Sequence, residues 1–217
     1  MRLASIVVQN YLSFGPPCEI QFDECAALIG QNNSGKSNLI RAVELLCEGK
    51  TTGLGRESFH RENADAPIEV TGVFTDLTGY ERERLAAWLD GAELKLVRRF
   101  LLQQHDDGGS GAEDKVESQI ACTLRQPRDE WLDDARINKE VMTVKAAELG
   151  HLVVGPHLFR ERLENPSKPT VKAWKAAAKW FRENCPEDIE WTTEEVPNPQ
   201  GLKQVLQHNL PEVIRIA

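Results

Sequence analysis

The sequence has no long hydrophobic run. None of its apolar stretches approaches the ~20 residues that a membrane-crossing helix needs. The N-terminus, where Arg2 is followed by a strand-like alternation, has neither the apolar core nor the small-residue cleavage site of a secretory leader. The expectation is a cytoplasmic protein with no membrane partner. Cysteine is sparse and scattered: Cys18, Cys25, Cys47, Cys122 and Cys185 form no C-x-x-C pair. An odd, dispersed set excludes a disulfide framework and a structural zinc site, leaving reduced thiols as small core or surface residues. His151 and His157 flank Gly155-Pro156 at a spacing that suits no helix face, so they read as loop histidines rather than metal ligands. Positive charge is also short. A net charge of −8 excludes a surface that grips nucleic acid over its whole extent, so any DNA contact must come from a local patch or a partner. The remaining composition, 41% hydrophobic and 28% charged over 217 residues, suits one large globular domain or a domain with an insertion.

Against these absences stands one complete motif. Gly30, Gln31, Asn32, Asn33, Ser34, Gly35, Lys36 and Ser37 spell G-x-x-x-x-G-K-[ST]. The apolar run Ala26–Ile29 before it predicts a buried strand, and Asn38–Cys47 after it carries a helical pattern. Strand, glycine loop and helix are the context that a phosphate-binding loop requires. The glycines let backbone N–H groups curl inward onto phosphate oxygens, and the helix adds its positive dipole end. Lys36 is placed to reach the β- and γ-phosphates, and the Ser37 hydroxyl to hold Mg²⁺. The guanine-reading Asn-Lys-x-Asp is missing, which favours ATP over GTP.

The flanks carry a resemblance. An apolar strand Leu3–Val8, then Asn10, Ser13 and Phe14, a second strand Glu19–Phe22, and Gly30, Asn32, Asn33, Ser34, Gly35, Lys36, Ser37 and Asn38 together resemble the opening of ABC-type ATPases of the RecF, SMC and OLD (overcoming lysogenisation defect) group, the OLD branch most closely. The likeness is specific over residues 1–48, weak but ordered over 68–100, and close to nil over 101–209. In this group the turn often carries a basic residue near the nucleotide, where this chain has Leu12. The resemblance implies an α/β P-loop NTPase fold, the N-terminal half of an ABC-type head, with a mixed sheet and an antiparallel β-layer beside the phosphate loop's helix. It implies ATP and Mg²⁺ as cofactors, with Gly30–Asn38 as the nucleotide-binding residues. It also implies heads that pair into a homodimer or higher homo-oligomer, DNA as the target in phage defence or repair, and a nuclease or effector as partner. Two other readings stay open: an SMC- or RecF-like repair ATPase without nuclease, and a non-catalytic nucleotide-binding module.

Two parts of such a head are not found in the sequence. No apolar run ends in Asp-Glu, the pattern that supplies a Mg²⁺-holding carboxylate and a water-orienting one. Gly-Gly-Ser-Gly at 108–111 has neither the preceding leucine nor the following helix of an ABC signature. The expectation is a head lobe over 1–125 and a helical segment with a last strand over 126–217, ending where an arm or second head half would begin. The intact protein would hydrolyse ATP, while this chain alone would be inactive.

Among the elements, 36–48 predicts a helix with Leu39, Ile40, Val43 and Leu46 inward and Gly49 past its end. Residues 50–66 predict a loop, 68–75 a half-buried or edge strand, and Thr78 with Glu81 a capping box opening a helix over 79–89. Strands are expected over 93–103 and 116–125 around a tip at 103–114, and a helix over 129–150. A short helix at 201–208 and a last strand at 210–216 follow an extended 192–200. Thr170 caps a helix over 170–184 whose Lys172, Lys175, Lys179 and Arg182 share one side. That basic stripe is the candidate DNA contact, and an ordinary solvated face, the reading the pattern favours, explains it too.

Overall fold

The computed structural model describes residues 1–31, 35–103 and 115–211. In chain order its elements are β1 (Arg2–Gln9), β2 (Cys18–Gln21), α1 (Lys36–Glu48), β3 (Ile68–Thr75), α2 (Gly79–Leu85), β4 (Leu94–Gln103), β5 (Lys115–Pro127), α3 (Lys139–Ala146), β6 (Val153–Val154), β7 (His157–Leu158), α4 (Val171–Asn184), β8 (Trp191–Pro197) and α5 (Leu202–Leu206). They divide into two compact units, one of residues up to Leu124 and from Glu195 onward, the other Arg125–Glu194. The chain thus leaves the first unit after Leu124 and rejoins it at Glu195. Most of the tip expected at 103–114, the strand at 210–216, and Asn32, Asn33 and Ser34 lie outside the described residues.

The first unit is built on a sheet of order β2-β1-β3-β4-β5-β8. The pairings β1–β2, β1–β3, β3–β4 and β4–β5 are all antiparallel. The sheet is thus mainly antiparallel, in keeping with the expected antiparallel layer. Period-two alternation decides which face is covered. Ile68, Val70 and Phe74 of β3 point to the core with Ile6 and Val8 of β1 and Leu94, Leu96 and Phe100 of β4, all fully buried. β3 is thus half-buried but interior, flanked by β1 and β4.

α1 lies on this face. Leu46 presses so close on Gly72 of β3 that a Cβ there would overlap the leucine's Cδ2. The buried face is Leu39, Ala42, Leu45 and Leu46, whereas Ile40 of the expected face is 40% exposed. Ala42 corrects the pattern, because its small side chain lets the helix close on the sheet. Truncating Leu46 in such a contact costs about 2–5 kcal/mol. The helix stops at Gly49, whose φ of 64° takes the left-handed conformation usual for a C-terminal cap.

The capping box forms as expected: the Thr78 hydroxyl accepts from Glu81 N at 3.3 Å and Thr78 N donates to Glu81 Oε2 at 2.7 Å. Both Glu81 oxygens also accept from the Met1 ammonium, at 2.9 and 2.8 Å. The helix gives way to a 3-10 turn at Ala86–Trp88, shorter than the expected 79–89. Ala26–Ile29 is the largest departure. It forms no strand, and Leu28 and Ile29 are 39% and 93% exposed. An apolar run becomes a strand only beside a partner that takes up its hydrogen bonds, and no described strand lies alongside it.

The second unit has an aromatic core. Phe159 sits against Trp131, Trp174 and Phe181 with ring centroids 5.0, 4.9 and 5.5 Å apart. Trp174 Nε1 is satisfied by the Trp131 carbonyl at 3.0 Å. The helix expected over 129–150 is broken. Asp133 takes Ala135 N at 3.0 Å and Arg136 Nε at 2.7 Å, and Asn138 Oδ1 accepts from Glu140 N and Val141 N to start α3 afresh. Short polar side chains that bond to nearby backbone compete with helix in this way.

Candidate functional site

The first turn of α1 is left open. Its N-cap, Gly35, has φ 91° and ψ 1°, no side chain caps the turn, and no acidic residue lies within it. Open first-turn N–H groups and the helix dipole together make an anion site. Lys36, the first helical residue, folds its ammonium back onto the loop, donating to Gly30 O at 2.7 Å and Gln31 O at 2.6 Å. An arriving phosphate would exchange those carbonyl bonds for stronger charge-assisted ones. Ser37 is exposed in the same turn, and its hydroxyl is an oxygen of the kind that Mg²⁺ takes.

The turn after β1 braces this loop. Asn38 Nδ2 donates to Ser13 Oγ at 3.0 Å. A Cβ at Gly35 would lie 2.9 Å from the same oxygen and 3.9 Å from Phe14 Cζ, so a larger residue would have to push the Ser13 hydroxyl aside and hold a left-handed φ. The turn itself is held in a costly shape. Asn10 and Leu12 have φ of 53° and 48°, and a left-handed leucine costs on the order of 1–3 kcal/mol unless its surroundings fix it. Leu12 N donates to Ser58 O at 2.9 Å, and Leu12 O lies 2.7 Å from His60 Nδ1. Since a carbonyl only accepts, that nitrogen carries the proton. Asn10, buried, donates through Nδ2 to Asn63 O at 2.9 Å and Ala66 O at 2.8 Å. The segment 58–66, a plain loop by sequence, is thus what holds the turn against the phosphate loop. Asn10 and Ser13 are visible through the resemblance; His60 has no sequence signal at all.

The other predicted site residues lie elsewhere. Lys172, Lys175, Lys179 and Arg182 are on α4, in the second unit. Arg182 is half-buried and its Nη1 donates to the Leu132 carbonyl; burial holds its pKa below the usual range. Lys175 Nζ donates to Asp134 O at 2.7 Å, and Lys179 Nζ stands 3.7 Å from Glu183 Oε1. Lys172 is exposed. The cysteines are free, and burial pushes the thiols of Cys47 and Cys122 up to about 11, so neither is a nucleophile at neutral pH. Among the described residues, no group of His, Cys, Asp and Glu is arranged to hold a metal, and no helix is long and apolar enough to cross a membrane.

A glycine-capped helix start, an ammonium turned into the loop before it and a hydroxyl beside it define a P-loop nucleotide-binding protein. Residues 1–190 match the AAA ATPase domain family, and the chain belongs to that family. No curated protein matches it. The α/β fold with its mainly antiparallel sheet accords with a nucleotide-binding ATPase domain.

Proposed function

We propose that the chain is the ATP-binding, ABC-type head of an OLD-like ATPase, acting on DNA in phage defence or repair and working as a homodimer or higher homo-oligomer with a nuclease or effector partner. The observation that carries this reading is the Lys36 ammonium bonded to Gly30 O and Gln31 O at the uncapped start of α1. Gly35 and the first-turn N–H groups would take the phosphates, Lys36 would bind the terminal ones, and Ser37 would hold Mg²⁺. The ion, once bound, neutralises charge on the phosphates and lowers the barrier to their transfer. Asn38 and Ser13 keep the first turn in place while that happens. Hydrolysis further needs a carboxylate to orient water, and no apolar run ending in Asp-Glu marks one in the sequence.

A DNA contact on α4 rests on Lys172 and Lys179, since Lys175 and Arg182 are engaged within the unit. Reversing both in the intact protein (Lys172→Glu with Lys179→Glu) should weaken duplex binding and reduce its salt slope by roughly one for each DNA phosphate no longer neutralised; an unchanged slope removes α4 from the interface. For the nucleotide site, the test is calorimetry of a non-hydrolysable ATP analogue with and without Mg²⁺. The expected result is binding to the wild type that the ion strengthens, with the gain abolished in Ser37→Ala. Binding that ignores both changes overturns the assignment.

A further inference from the structure

At the far end of α1 a cleft of about 670 Å³ opens in the first unit, within the range of ~300–1,000 Å³ usual for small-molecule sites. The helix has 13 residues, so about 20 Å separates the cleft from the phosphate loop. Its floor holds an unusual cation. Arg98 of β4 is only 7% exposed and has no carboxylate partner among the described residues. Nε donates to Leu46 O at 2.6 Å and Nη2 to Cys47 O at 3.4 Å, at the end of α1. Nη1 has no partner among the described residues. It lies over the Cα of Gly49, in the space a Cβ would fill, and both residues line the cleft.

The rest of the lining points the same way. Lys203 and His208 are exposed there, and their side chains have no partner among the described residues. Asn198 adds an amide whose Nδ2 has no partner among the described residues, while its Oδ1 accepts from Ile120 N at 3.5 Å. Among the described lining residues the one carboxylate, Glu48, is already bound to Lys50 at 2.7 Å. In a chain of net charge −8, this is a cationic hollow with a buried, half-used guanidinium at its base. Buried charges of this kind are retained where an opposite charge meets them. A planar guanidinium edge with a neighbouring ammonium suits a phosphoryl group. Ile120 and Leu206 supply an apolar wall beside it.

We propose that this cleft is a second anion site, taking a phosphorylated organic molecule of about mononucleotide size, with the phosphoryl group on Arg98 Nη1 and Lys203, His208 and Asn198 at the rim, and the organic part against Ile120 and Leu206. The test is calorimetric titration of inorganic pyrophosphate into the Lys36→Ala chain, whose phosphate loop is disabled, with AMP as a competing second probe. Lys203 and His208 are the positions to change, because replacing Arg98 would also strip α1 of its terminal bonds. One pyrophosphate should bind per chain, AMP should displace it, and adding Lys203→Glu with His208→Ala should weaken it at least tenfold. In the chain with Lys36 intact, the same two changes should leave ATP-analogue affinity within twofold, so the two sites fail separately. Absence of pyrophosphate binding to the Lys36→Ala chain, or equal affinity with and without the Lys203 and His208 changes, overturns the proposal.

Discussion

Two helices of nearly equal length begin in opposite ways. α1 starts at Gly35 with no side-chain cap, whereas α4 starts at Thr170, whose hydroxyl accepts from Ala173 N at 3.2 Å. Both are amphipathic and both bury one face. The difference is what their first turns are for. α4 caps Ala173 N with its own Thr170 and is finished by packing Trp174, Ala178 and Phe181. α1 forgoes a cap worth about 1 kcal/mol, and a lysine waits beside its open end. The proposed nucleotide site rests on an uncapped helix start next to a held-back cation, whereas a capped start serves packing alone.

The comparison can be broken at several levels. The largest effect should come from Trp174→Ala, which removes a fully buried ring from the second unit's core. It should lower that unit's stability by about 3–5 kcal/mol in denaturant melts while ATP-analogue affinity stays within twofold; a large fall in affinity would mean that α4 supports the nucleotide site after all. Next is Gly35→Ala. A left-handed alanine that also meets Ser13 Oγ at 2.9 Å costs about 1–3 kcal/mol, read as a lower melting point together with at least tenfold weaker analogue binding. Thr170→Ala should cost about 1 kcal/mol of stability with no effect on binding, which thermal melts and calorimetry check together. Smallest is an acid effect. The Arg99 guanidinium, bonded to Glu195 at 2.5 and 2.7 Å, holds that carboxyl below the usual glutamate range. A depressed carboxyl contributes stability above its unfolded value near ~4.3 and loses it as pH falls through the folded one. The gap between wild type and Glu195→Gln, about 0.5 kcal/mol for so exposed a pair, should hold above about pH 5 and close below it.

How much of the molecule is legible in its sequence follows from where each signal resides. The phosphate loop, α1, the Thr78–Glu81 box and β3 are local patterns, and a few neighbouring residues suffice to read them. The buried face of α1 differs from the pattern at Ile40 and Ala42 because apolar spacing ignores how small residues let a helix approach a sheet. Ala26–Ile29 reads as a strand and is not one, because a strand is defined by its partner, which spacing cannot show. The basic stripe of α4 is legible only in part. Its spacing is correct, but Asp134 and the Leu132 carbonyl, which engage Lys175 and Arg182, come from about 40–50 residues away in sequence. His60 holds the Leu12 turn through a single ring nitrogen, an interaction that no local pattern announces.

The measurement that tests the account most directly is calorimetric binding of a non-hydrolysable ATP analogue to the wild type and to Lys36→Ala. The ammonium that now rests on Gly30 O and Gln31 O would be the main charge-assisted donor to the phosphates. Its removal should weaken binding about a hundredfold, a difference of ~3 kcal/mol, with the melting point nearly unchanged because Lys36 buries no core contact. Equal affinity in the two proteins would contradict the claim that the open start of α1 is a nucleotide site.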